Sequence, residues 1–131
     1  MEEYICKNSI NEKPLTVSLS ESHLMWQQGD KYGQVSYYNI ISIRLTQVAN
    51  KFTINIELDS HRSIVLTNRF YLTRLNFEDR SRQYNTFVRV LHYYLKNMRT
   101  ITFSVGSAWR EWILASKKYQ PDSIPLPYLP N

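Results

Sequence analysis

Glycine is scarce in this chain: Gly29, Gly33 and Gly106 are the three glycines in 131 residues. No Gly-rich loop that could cradle a phosphate is present. Cys6 is the lone cysteine, which excludes an internal disulfide and a Cys-based zinc cluster. It is expected as a small half-buried side chain or a surface thiol. His23, His61 and His92 are the three histidines, and none follows another at H-x-x-x-H or H-E-x-x-H spacing. A metal or catalytic histidine is therefore not expected. A G-x-S-x-G elbow is also missing. Glu78 and Asp79 are adjacent, while Glu57 and Asp59 would share one wet strand face. Neither pair opposes across a cleft as hydrolytic carboxylates must. The expectation is a protein that is not an enzyme and needs no cofactor. No apolar run approaches the roughly 18 residues of a membrane-spanning helix. The start, Met1-Glu2-Glu3-Tyr4, is acidic, so no secretory leader is read there. The cytoplasm is the expected compartment, with the surface of the inner membrane as the alternative.

What the chain does contain suits one domain: 43% apolar, 14% aromatic and 21% charged residues are a globular mix. The net charge of +5 is unevenly spread. Residues 1–61 hold five basic and seven acidic side chains, whereas residues 62–119 hold eleven basic and three acidic ones. A basic half of this kind can attract anionic lipid or nucleic acid.

Hydrophobic periodicity divides the chain. Leu15, Val17 and Leu19 alternate with polar residues, and Ser20-Glu21-Ser22 separates them from His23–Gln27. Gly29-Asp30-Lys31 reads as a second turn, followed by an extended piece through Tyr38 with Val35 and Tyr37 on one face. Ile41, Ile43 and Leu45 alternate, as do Phe52, Ile54, Ile56 and Leu58, and Arg62–Thr67 returns after Asp59-Ser60-His61. Alternation with gaps of a few residues predicts an antiparallel meander of about six or seven strands over 13–75. Ile40, Val65, Phe70 and Leu72 break the pattern and are expected at bends or covered on both sides.

The period then changes from two to 3.6. Tyr84, Phe87, Val88, Leu91, Leu95 and Met98 form one stripe, which predicts a helix from about Asp79 to Met98. Asp79 is the expected N-cap. Arg82, Arg89 and Lys96 fall opposite the stripe, and Arg99 follows. Ile101–Val105 predicts a short edge strand. Ala108–Tyr119 predicts a second helix carrying Trp109, Trp112 and Ile113. Four of the five prolines lie in 121–131, which predicts an extended tail.

This order resembles the pleckstrin-homology-like (PH-like) superfold of bacterial proteins. The stretches that carry the resemblance are Leu19–Trp26, Tyr37–Leu45 and Glu78–His92. The resemblance covers 13–98 and implies a mainly β fold. That fold is a partly open antiparallel barrel, or orthogonal sandwich, of about seven strands capped by the amphipathic helix. Residues 99–119 would then be a strand-helix extension and 120–131 the tail of the same domain. It also implies a binding module, with a protein partner as the first expectation. Peripheral contact with anionic membrane lipid is the second, through Arg82, Arg89, Lys96, Arg99, Trp109, Arg110, Trp112, Lys117 and Lys118. Self-association through the C-terminal extension is a further candidate. No Lys or Arg lies between Leu15 and Gln28, where lipid-binding relatives grip inositide phosphates. Nucleic acid is not expected, because Trp26, Tyr37 and Phe52 fall at inward positions instead of offering stacking surfaces.

Overall fold

The structure is a computed structural model that describes residues 2–106 and 117–130. Among these residues it is mainly β, with one α-helix after the sheets and no closed barrel. The first sheet holds β1 (Glu2–Cys6), β2 (Leu15–Leu19), β3 (His23–Gln28) and β4 (Lys31–Ser36), all antiparallel and in that order. β1 precedes the predicted meander. Its period-two pattern is short, with Tyr4 and Cys6 buried and Glu3 and Ile5 facing out.

A 3-10 turn at Tyr37–Asn39 carries the chain from the first sheet into the second. Tyr37 is thus in a turn and not in a strand, yet it is buried, and its hydroxyl donates to the Ser20 carbonyl. Ile40 sits at the expected bend, where the register of the next strand pair shifts. The second sheet contains β5 (Ile40–Val48), β6 (Lys51–Leu58) and β7 (Ser63–Thr67) as a meander. A small hairpin follows, β8 (Arg69–Tyr71) with β9 (Phe77–Asp79).

Helix α1 runs from Ser81 to Leu95, shorter at both ends than its periodicity predicts. Asp79 belongs to β9, and Arg80 occupies the N-cap position. Asp79 still serves the helix start, because its carboxylate accepts from the Ser81 amide at 3.0 Å. Met98 lies beyond the helix and is half-buried. Tyr84, Phe87, Val88, Leu91 and Leu95 are fully buried, so the predicted stripe faces the sheets.

Three further expectations are corrected after the helix. β10 (Thr102–Gly106) is no edge strand: it lies inside the second sheet, in the order β11-β10-β5-β6-β7. It also runs parallel to β5, since α1 returns the chain to the same end of the sheet before β10 begins. The second helix fails at its C-terminal end, where Lys117–Lys118 form β11 against Ser104 and Val105. The rest of that predicted helix, with Trp109, Arg110 and Trp112, lies outside the described residues. The tail is not fully extended, for it contains a 3-10 turn at Leu126–Tyr128. It docks on its own chain: Leu129 is 5% exposed and the Pro130 carbonyl accepts from Asn85 Nδ2 at 2.7 Å.

Candidate functional site

A sheet edge exposes backbone donors and acceptors that proteins usually cover. At the C-terminal end of β1 they are covered. Arg80 Nη1 donates to the Ile5 carbonyl at 3.0 Å, and Lys7 exchanges backbone bonds with Arg69 and Tyr71 at 3.1 Å each. At β7 the Asn8 side chain donates to the Val65 carbonyl at 2.7 Å and accepts from the Thr67 hydroxyl at 3.0 Å. β11 is two lysines long. β4 differs. Among the described residues, no backbone group of Lys31–Ser36 is bonded outside its ladder with β3.

This uncovered edge borders a seam. β4 ends the first sheet and β7 ends the second, and the two do not pair. Between them opens a cleft of about 710 Å³, within the range of about 300–1,000 Å³ typical of ligand pockets. Leu15, Trp26 and Val35 line it from the first sheet, and Leu58 and Ile64 from the second. Its rim carries Asn8, Glu12, Gln28, Lys31, Ser60 and Arg62. Glu12 is held by Ser9 Oγ at 3.0 Å. Lys31 and Arg62 form no ion pair among the described residues.

Trp26 shapes the seam. The alternation that buries Leu24 puts Trp26 on the same inner face of β3, opposite Val17 and Gly33. Its indole lies across Gly33, where a Cβ would come within 2.6 Å of Nε1. Gly33 is required here for close approach, not for an unusual backbone angle. The outer face of the same strands carries a shallower hollow of about 470 Å³, lined by Thr16, Ser18, Met25, Gln27 and Tyr32. Tyr32 is 78% exposed.

The basic residues singled out from sequence lie elsewhere and are not gathered into this seam. Arg82, Arg89 and Lys96 are exposed along α1, and Arg99 is exposed beyond it. Arg89 Nε donates to Asn85 Oδ1 at 2.6 Å, and Lys96 Nζ lies 4.3 Å from the centre of the Tyr93 ring. Arg89 and Lys96 do share a notch of about 360 Å³, but with Asp122 of the tail, which offsets part of their charge. Lys117 and Lys118 are exposed on β11. Trp26 was legible as an inward residue. Lys31, Tyr32 and Arg62 carried no such signal, because their importance comes from two strand ends far apart in sequence.

His92, on the buried face of α1, lies outside the seam. Its Nδ1–H donates to the Val88 carbonyl at 2.7 Å, which leaves Nε2 to accept from the Tyr119 hydroxyl at 2.6 Å. Burial pushes its pKa down to about 4. The ring is neutral at physiological pH and packs against Phe103 and Tyr119. Burial likewise pushes the Cys6 thiol up to about 11, so it is protonated and poorly nucleophilic. Among the described residues no three His, Cys, Asp or Glu side chains converge to hold a metal. No described helix is long and apolar enough to cross a membrane. No protein family, curated protein or solved structure matches the chain.

Proposed function

We propose that the chain is a non-catalytic binding module that takes a protein partner in the seam between β4 and β7, on a PH-like frame. The observation that carries this reading is the uncovered β4 edge opening onto an apolar cleft. Trp and Tyr are favoured anchors of protein interfaces, and here Trp26 and Tyr32 stand on either face of that edge. The frame itself is supported by four strands of the first sheet and three of the second that precede the β8–β9 hairpin and the helix. The rim is of mixed charge, with Glu12 beside Lys31 and Arg62, which suits a polypeptide better than a polyphosphate. A photo-crosslinking amino acid at Tyr32, compared with one at the equally exposed Tyr38, tests it in cells that express the chain natively. A discrete protein adduct from the first position and not from the second is expected. No adduct at Tyr32, or the same adducts at both positions, would overturn the reading.

A second reading, attachment to an anionic membrane surface, is supported by the exposure of Arg82, Arg89, Lys96, Arg99, Lys117 and Lys118. It requires flotation with phosphatidylserine vesicles that fades as salt shortens the screening length to about 8 Å.

A further inference from the structure

We infer that the partner enters as an extended segment that adds one strand to β4. This inference rests on the binding reading above and names its mode and chemistry. An added strand takes its affinity from main-chain hydrogen bonds and its selectivity from side chains that point alternately to the two faces of the sheet. β4 meets both requirements. Its outward backbone groups are unbonded among the described residues, whereas β1 and β7 each have an outward carbonyl engaged, Ile5 by Arg80 and Val65 by Asn8. It is also flanked by a hollow on each face, and the two hollows share Trp26, Tyr32, Gly33 and Gln34. A strand laid along β4 would send one set of side chains between the sheets and the other set beside Tyr32.

The lining assigns the chemistry of each set. The inner hollow is floored by Val35 and Ile64 and calls for apolar side chains. At its mouth Lys31 and Arg62 outnumber Glu12, and neither cation has an ion-pair partner among the described residues. An acidic residue of the segment belongs at that end. The outer hollow, with Met25, Gln27 and Ser18, accepts polar or mixed side chains. A lone strand is favoured over a second copy of this chain for a steric reason. The inner side of β4 faces β7 across the seam, and a second β4 would bring its own second sheet into the same space.

The test uses the full chain, labelled with nitrogen-15, and an array of synthetic peptides of about eight residues, slightly longer than an average strand. Each peptide alternates apolar and polar residues and carries Asp or Lys at one end. Binding of Asp-ended peptides should shift the amide signals of β4 and protect them from exchange. Methylating alternate peptide nitrogens should abolish binding for one alternating set and spare it for the other. Lys31→Glu should weaken Asp-ended peptides roughly tenfold and strengthen Lys-ended ones, which separates loss of charge from loss of fold. If peptides bind in the seam but neither methylated set loses affinity, strand addition is wrong while the binding reading survives. If no peptide binds more tightly than roughly 1 mM, the strand inference fails; a lack of crosslinks at Tyr32 would then remove the binding reading too. Doubling of mass in light scattering, with β4 protected in the protein alone, would make a second copy the occupant and overturn the inference.

Discussion

The helix side and the seam side of this molecule draw on different strands, β1 under α1 and β4 with β7 at the seam, and one is sealed while the other is open. On the helix side Tyr4, Tyr84, Phe87 and Leu91 are at most 2% exposed, and Tyr4 packs edge-on to Tyr84 at 6.1 Å. The polar groups there are mostly matched to partners. The Tyr4 hydroxyl donates to the Thr67 carbonyl, and buried Asn68 bridges Asn50, Phe52 and Ser81. On the seam side Trp26 and Val35 are half-buried, and β4 has no covering group among the described residues. The difference shows what α1 does: one amphipathic helix buries its apolar stripe on one side, and the β4 edge on the other stays uncovered among the described residues.

That contrast yields a graded set of expectations. Phe87→Ala, at the centre of the sealed side, should cost about 3–5 kcal/mol in denaturant unfolding. A loss below about 0.5 kcal/mol would mean that the helix does not bury this face. His92 gives the next effect. Its pKa is lower in the folded chain than in the unfolded one, about 4 against 6.5, so the unfolded state binds more protons between those values. Stability should be complete above pH 6.5 and fall as the pH drops toward 4, by about 3 kcal/mol in all. His92→Gln should flatten this part of the profile, and an unchanged slope would assign the acid sensitivity to other groups.

The tail comes third. Leu129 is buried at the rim of the sealed side, so Leu129→Ala should cost about 2 kcal/mol, the low end for a leucine, because the chain end can adjust. No change in melting temperature would show that the tail is not seated in solution. The smallest effect belongs to the seam. Lys31→Glu should change stability by no more than about 0.5 kcal/mol, since Lys31 is exposed and bears no fold contact of consequence. A large loss would mean that the edge of β4 supports the fold and is not reserved for a partner.

Much of this architecture could be read from periodicity. The stripe Tyr84–Leu95 and the alternation in β2, β5, β6 and β7 depend on which residues share a face, which is a local property of backbone geometry. The ends of α1 were less legible, because Asp79 and Arg80 are drawn into the β8–β9 hairpin and its contacts: the Arg80 guanidinium stacks 4.7 Å over Phe70 and pairs with Glu78. The β1 strand was missed because Tyr4-Ile5-Cys6 are apolar in succession, so its buried and exposed faces do not differ in residue type. Charge along the sequence did not point to the seam. Arg82, Arg89 and Lys96 stand out in the sequence but are spread along a solvated helix, and Lys31 and Arg62 do not stand out at all.

The sequence by itself determined which residues of β2, β6 and α1 share a buried face, and that the stripe Tyr84–Leu95 lies on a helix with a face to hide, since each follows from spacing along the chain. The tertiary structure decided the rest. It placed β10 parallel to β5, joined His92 to Tyr119, and set the end of β4 against the end of β7 without pairing them. These depend on contacts between segments tens of residues apart, and no local period records which edge will be covered and which left open.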